Sequence, residues 1–162
     1  MGTTKGLAYY NHTPVGDLVI ESEDDTITRI GFLKEQRETG RLTPVIELCI
    51  RELEEYFSRG RKFFTFNLGL RGTEFQNRVW KELLNIPYGT TISYEELAIR
   101  LGDIKSIRAV GLANGQNPVA IVVPCHRVIG KNGSLTGYGG GLENKQWLLE
   151  HEGAVLKQLS LF

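Results

Sequence analysis

Apolar positions along the chain follow two rhythms. Near the N-terminus they come as short runs, Leu7 to Tyr10, Leu18 to Ser22 and Ile27 to Leu33, parted by Pro14-Val15-Gly16-Asp17 and Asp24-Asp25. Runs of that length bounded by turn residues predict three short strands of a small antiparallel sheet. Lys34 to Arg41 is polar and predicts a loop. The rhythm then changes to helical spacing: Ile46, Cys49, Ile50, Leu53, Tyr56 and Phe57 follow Thr43-Pro44, an N-cap with proline at the first helical position, and Gly60 stops the run. Cys49 belongs to that stripe and reads as core. Phe63 to Phe66 predicts a further strand, and Gly69 to Gly72 a linker.

Beyond the linker the pattern is helical. Thr73 to Gln76 has the T-x-x-Q form of a capping box, and Phe75, Val79, Trp80 and Leu83 give its helix one apolar face before Pro87. A second box, Ser93 to Glu96, opens a helix carrying Leu97, Ala98 and Leu101 that closes at Gly102. Ser106 to Ala113, ended by Asn114-Gly115, predicts a partner helix, so the pair reads as a helix-turn-helix. A glycine-rich run from Lys131 to Gly141 lacks the lysine and strand-to-helix context of a phosphate-binding loop. The last helix, Leu142 to Glu152, stops at Gly153.

Between the two groups of helices lies V-A-I-V-V-P-C-H-R-V-I-G, Val119 to Gly130. Pro124 has no N–H for a ladder, so strand pairing must stop there and Cys125 falls at an element end. A thiol is a strong nucleophile only as thiolate, and an unassisted one, with a pKa of about 8.5, is barely ionised at neutral pH. His126 offers a base, and Arg127 adds positive charge that favours an anion. Glu152 could complete a Cys-His-Glu relay, although spacing alone favours a solvated helix-end carboxylate. A free cysteine in an apolar run is most often core, and a bare Cys-His pair leaves core and catalyst about even. Here one of only two cysteines stands directly beside one of only three histidines.

Composition narrows the classes. With 41% hydrophobic and 23% charged residues, the chain predicts a folded soluble protein, in the cytoplasm or, in a eukaryote, the nucleus. No apolar run is long enough for a membrane span. Two cysteines, Cys49 and Cys125, suit neither a zinc site nor a disulfide in a reducing compartment. The net charge is zero, from 19 Lys+Arg and 19 Asp+Glu, which excludes a globally basic nucleic-acid binder. Yet Arg100, Lys105, Arg108, Arg127 and Lys131 face only Asp103 across their segment, so one basic face can still meet a polyanion.

The residues by themselves leave a cysteine hydrolase and a non-enzymatic DNA-binding regulator open. The motifs narrow this. F-Q-N-R-V-W from Phe75, I-P-Y-G-T-T-I-S-Y from Ile86, R-A-V-G-L-A-N-G-Q-N-P from Arg108, V-P-C-H-R-V-I-G from Val123 and W-L-L-E-H-E-G from Trp147 together resemble the O6-alkylguanine-DNA alkyltransferases, most closely the bacterial type. The resemblance covers the C-terminal half, and the N-terminal half matches in general plan. It implies an α+β fold: residues 1–70 as a ribonuclease H-like antiparallel sheet with a helix, and residues 71–162 as a mainly helical DNA-binding and catalytic domain with a winged helix-turn-helix.

The implied activity is suicide repair of double-stranded DNA. An alkyl group passes from O6 of guanine, or O4 of thymine, to Cys125 after the base is flipped through the minor groove. No cofactor is implied. A monomer is expected, with cooperativity along DNA left open. In this reading His126 takes the thiol proton through a water, Glu152 holds the imidazole and Asn117 braces the site. Arg108 fills the gap left by the flipped base, and Tyr94 helps rotate the nucleotide. Tyr138 and Gly139 meet the base, Lys145 is the family's active-site lysine, and Ser93, Ala113, Asn114 and Arg127 fall at DNA- or substrate-binding positions. Some members hold zinc through N-terminal Cys and His ligands. With His12 and Cys49 alone before the catalytic half, none is expected here. Thr136 occupies a pocket-edge position that is smaller in some members, which bears on bulky benzyl-type substrates. Members that bind without repairing replace the cysteine, which this chain retains.

Overall fold

The computed structural model describes residues 2–33 and 40–155, so most of the predicted loop from Lys34 to Arg41 lies outside the described residues. Two compact units emerge, Met1–Gly72 with Pro118–Val122, and Thr73–Asn117 with Val123–Phe162.

In the first unit the early apolar runs pair as an antiparallel meander of β1 (Lys5–Thr13), β2 (Gly16–Glu23) and β3 (Thr26–Phe32). The β2–β3 register shifts between Glu21 and Ser22. That bulge explains how Ile27 and Ile30, three apart, can both be buried where a regular strand would send them to opposite faces. α1 (Pro44–Arg59) buries Val45, Ile46, Cys49, Leu53 and Tyr56 and ends on Gly60 in the left-handed region. Burial pushes the Cys49 thiol up, as expected of a core cysteine. Thr43 does not cap the helix with its side chain; its hydroxyl pairs with Ser22 at 2.9 Å. The helix start sits close on the sheet at Gly6, where a Cβ would come within 2.8 Å of Ser22, Thr43 and Ile46.

The Phe63 to Phe66 expectation needs correction. The strand that forms is β4 (Asn67–Leu68), parallel to β3, while Phe63 is 78% exposed. Buried Glu52 of α1 explains the shift: its carboxylate accepts from Thr65 N and Oγ1, holding that stretch to the helix instead of to a strand. Among the described residues Pro118–Val122 makes a single isolated bridge, Val119 to Ile30. It then turns at Ile121, whose φ of 73° is rare for a β-branched residue.

The second unit is mainly helical. α2 (Glu74–Leu83) begins with the full Thr73–Gln76 capping box, and its Trp80 indole donates to the Ala113 carbonyl at 2.9 Å. β5 (Ile92–Ser93) leads into α3 (Tyr94–Arg100), where Ser93 caps Glu96 N at 3.0 Å. Only Ser93's half of the predicted second box is used, because the Glu96 carboxylate accepts instead from Arg100. After a 3-10 turn at Ile104–Ser106 comes α4 (Ile107–Gly115), packed on α2 and α3. A 3-10 turn over Cys125–Arg127 leads to β6 (Val128–Ile129), parallel to β5, and α5 (Leu142–His151) closes the unit.

Candidate active site

The chain is shaped around Pro124 before any side chain acts. With φ −84° and ψ 61°, Pro124 is the centre of an inverse γ-turn in which Cys125 N donates to the Val123 carbonyl at 2.8 Å. Asn117 Nδ2 donates to the same carbonyl at 2.7 Å, and Asn114 Nδ2 donates to the Cys125 carbonyl at 3.5 Å. Two amides, one from the end of α4 and one just beyond it, thus hold the backbone on both sides of the proline.

Cys125 is 8% exposed and His126 is fully buried. Burial raises the thiol pKa, against which a hydrogen bond from Asn117 and the charge of Lys145 act in the opposite sense. The expectation that Arg127 favours an anion at Cys125 is therefore corrected: the opposing cation is Lys145. Arg127 faces inward, with Nε on Glu152 Oε1 at 2.8 Å, Nη2 on Glu152 Oε2 at 3.1 Å and Nη1 on the Ile86 carbonyl at 2.7 Å. Its guanidinium also lies over Tyr88, 5.7 Å from the ring centre.

Glu152 is buried just past α5, not solvated. Burial alone would raise its carboxyl, but the hydrogen bond from His126 and the hydrogen bonds and charge of Arg127 overcome this and hold it at about 2. An ionised carboxylate only accepts, so His126 Nε2, 2.8 Å from Glu152 Oε2, must carry the proton. Burial also lowers the His126 pKa, keeping the ring neutral. Its Nδ1 is then a bare lone pair, buried and, among the described residues, without a hydrogen-bond partner. The constellation holds a protonated thiol and a neutral imidazole already in the tautomer that accepts at Nδ1. A Cβ on Gly89, which sits at φ +80°, would lie 3.0 Å from the Glu152 carbonyl oxygen. The turn before β5 thus closes directly on the carboxylate's own residue.

Lys145, 0% exposed, donates through Nζ to the carbonyls of Val128 at 2.8 Å, Thr136 at 2.9 Å and Gly137 at 3.4 Å, tying the glycine-rich loop to β6. Burial brings its pKa down to about 8. Tyr94, at the start of α3, lies under this ammonium and reaches the Thr136 carbonyl at 3.2 Å. The Tyr138 ring sits edge-on to His126, 6.5 Å between centres.

Contacts therefore join Cys125, His126, Arg127, Glu152, Asn114, Asn117, Lys145, Tyr94 and Tyr138 in one site. Ser93 serves as a helix cap, Ala113 is buried, and Gly139 and Arg108 are exposed. The Ile86, Val128 and Thr136 carbonyls and the Tyr88 ring were not singled out in the sequence. Backbone acceptors leave no residue-type signal, so only the capturing side chains could have pointed to them.

The Glu152 carboxylate makes an acid-stability prediction. Its folded pKa of about 2 lies below its ordinary 4.5. Across that interval the unfolded chain binds more protons, so stability is lost as pH falls from about 4.5 toward 2. The contribution is on the order of 3 kcal/mol. Denaturant titrations at stepped pH should show a flatter acid limb for Glu152→Gln than for wild type. Parallel limbs would remove Glu152 as the cause.

The second unit is a mainly helical module in which α3 and α4 form a helix-turn-helix beside a buried Cys-His-Glu constellation. Residues 7–70 match the 6-O-methylguanine DNA methyltransferase ribonuclease-like domain, and residues 74–154 match the DNA binding domain of the same description. The chain belongs to the O6-methylguanine-DNA methyltransferase family. A methylated-DNA–protein-cysteine methyltransferase of Mycobacterium tuberculosis is 48% identical over 145 residues, 86% of this chain and 88% of that protein. The constitutive enzyme of that name from Bacillus subtilis is 43% identical over 164 residues, 94% and 99% of the two chains. Among solved structures, M. tuberculosis O6-methylguanine methyltransferase superposes with a TM-score of 0.83 at 42% identity, covering 93% of this chain and 94% of that one. The M. tuberculosis protein in complex with DNA superposes equally, TM-score 0.83, at 44% identity over 91% and 92% of the chains.

Proposed function

We propose that Cys125 receives the alkyl group from O6 of guanine in duplex DNA, and by the same chemistry from O4 of thymine, in a repair reaction that consumes the protein in one turnover. Methyl transfer from methylated DNA to a protein cysteine is the activity that the relatives' names carry, and Cys125 is the cysteine suited to it. The observation that carries the assignment is His126, neutral, with Nε2–H held by ionised Glu152 and Nδ1 free to take a proton.

The thiol, held protonated by burial, gives its proton to Nδ1 through a water as Sγ attacks the alkyl carbon in line. The Sγ–C bond forms and the C–O6 bond breaks. Guanine leaves neutral once a proton returns to its ring nitrogen, and Glu152 steadies the transient imidazolium. The product is a thioether, which water does not cleave, and no cofactor enters the balance.

Asn117 braces Cys125, and Arg127 positions Glu152. Lys145 holds the loop bearing Tyr138 and Gly139 against the base, while Tyr94 assists rotation of the nucleotide. Arg108, exposed on α4 with Ser93 and Ala113 near the same helix pair, enters the minor groove and replaces the flipped base, which offsets lost stacking. Residues 1–70 serve as scaffold and 71–162 carry DNA binding and chemistry. The protein acts as a monomer in the cytoplasm, or the nucleus of a eukaryote; among the described residues no helix is long and apolar enough to cross a membrane.

Peptide mass spectrometry after incubation with duplex DNA containing O6-methylguanine tests the assignment. One methyl on the Cys125 peptide, saturating at one per protein, is expected. Lesion loss without an adduct would instead indicate a turnover enzyme.

A further inference from the structure

α4 buries Val110, Ala113 and Asn114 and turns Arg108, Ala109, Leu112 and Gly115 outward. Their spacing puts these four on one face of the helix. Ala109 and Gly115 are small, and Arg108 ends in a charge that water solvates. Leu112 is the exception, an apolar side chain left 66% exposed in the middle of the face. A single exposed leucine needs no explanation by itself. The place of this one supplies a use for it.

The minor groove of B-DNA is about 6 Å wide, whereas a helix with its side chains is about 10 Å across. α4 can settle against such a groove only where its outward side chains are short, as at Ala109 and Gly115. Leu112, one turn beyond Arg108, then presses on the edges of the base pairs, as the apolar wedges of minor-groove proteins do. Exposed Lys105 and Arg108 supply the positive charge that draws the helix to the duplex. Residues four apart lie about 6 Å apart along a helix, and successive base pairs about 3.4 Å apart. With Arg108 in the gap left by the flipped base, Leu112 therefore meets a pair no more than about two steps away. In the minor groove every pair presents acceptors, and G·C adds the projecting 2-amino donor. A leucine strips water from that donor and offers it no acceptor.

We propose that Leu112 is an apolar minor-groove wedge that makes repair depend on the base pairs beside the lesion, favouring A·T over G·C at the pair it covers. The inference rests on the DNA-repair reading given above and adds a specificity residue outside the Cys125 pocket.

The test follows single-turnover methylation of Cys125 by peptide mass spectrometry, with full-length protein at subsaturating concentration. The duplexes carry O6-methylguanine and differ in one flanking pair at a time, one or two steps away on either side. That pair is A·T, G·C or hypoxanthine·C, which is G·C without the 2-amino group. At one of these positions wild type should react about three- to tenfold more slowly beside G·C, the effect of a polar group that loses water without gaining a partner. Hypoxanthine·C should there behave as A·T. Leu112→Ala, a helix-favouring change at an exposed position, should bring the ratio near one. Leu112→Gln, similar in length but carrying an acceptor, should bring it to one or reverse it. A wild-type ratio near one at every position would overturn the proposal, an outcome that needs no variant to fold. So would a preference that persists unchanged in both variants, which would place its origin in the duplex or in other side chains. Wild type that methylates on none of the duplexes would instead overturn the transfer reading on which the proposal stands.

Discussion

Cys125→Ala is expected to reduce methyl transfer to nothing measurable while DNA binding survives. No other group in the site can form the product. Asn117, Asn114 and Lys145 act on amide and carbonyl groups, His126 lacks the nucleophile it would deprotonate, and the other cysteine, Cys49, is 0% exposed in the core of the first unit. Because Cys125 is itself buried, the change leaves a sulfur-sized void, a cost of roughly 1 kcal/mol. The fold should therefore persist. Transfer is read by loss of the lesion from labelled duplex and affinity by fluorescence anisotropy. Residual stoichiometric transfer would remove Cys125 from its role. Since this variant holds its substrate without consuming it, it is also the background in which to examine Arg108. Adding Arg108→Ala should weaken binding and lower the slope of log K against log salt by about 1 if that guanidinium meets a phosphate, or weaken binding at constant slope if it stands in the base stack. Unchanged affinity would exclude both contacts.

Arg127→Met should be the most destabilising single change in the site. The guanidinium makes two hydrogen bonds to a fully buried carboxylate and a third to the Ile86 carbonyl. Removing one partner leaves Glu152 buried with only neutral His126, and breaking a buried pair in this way costs about 3–5 kcal/mol. The melting temperature should fall by roughly 6–20 °C for a chain of this size. The Glu152 carboxyl, relieved of the guanidinium, should titrate higher, so the remaining activity should fail at a less acidic pH than in wild type. Arg127→Lys should rescue only partly, because an ammonium cannot reproduce the two-pronged grip on the carboxylate. A melting temperature within a degree or two of wild type would show that the arginine contributes little beyond local charge.

Much of this protein is written locally. Thr73–Gln76, the Pro44 start and Gly60 stop of α1, and the 3.6-residue stripes of α1 and α2 could be read directly, because a cap or an amphipathic turn is decided by residues three or four apart. The break at Pro124 was equally legible, since a missing N–H acts on its own residue. The motifs flanking Cys125 sufficed for the family.

Other features depend on residues far apart, and there local reading went astray. Phe63 to Phe66 has strand-like composition, yet a buried carboxylate thirteen positions away claims Thr65. Arg127 stands two residues from the thiol but turns to Glu152, 25 residues on, while the cation that acts on Cys125 is Lys145. The direction of each pKa shift in the site follows from desolvation, which no window of sequence contains. Helices, turns and the reactive motif were therefore settled by neighbours along the chain. Which nitrogen of His126 carries the proton and which charge faces the thiol were settled by folding, because burial and long-range hydrogen bonding exist only between segments that it brings together.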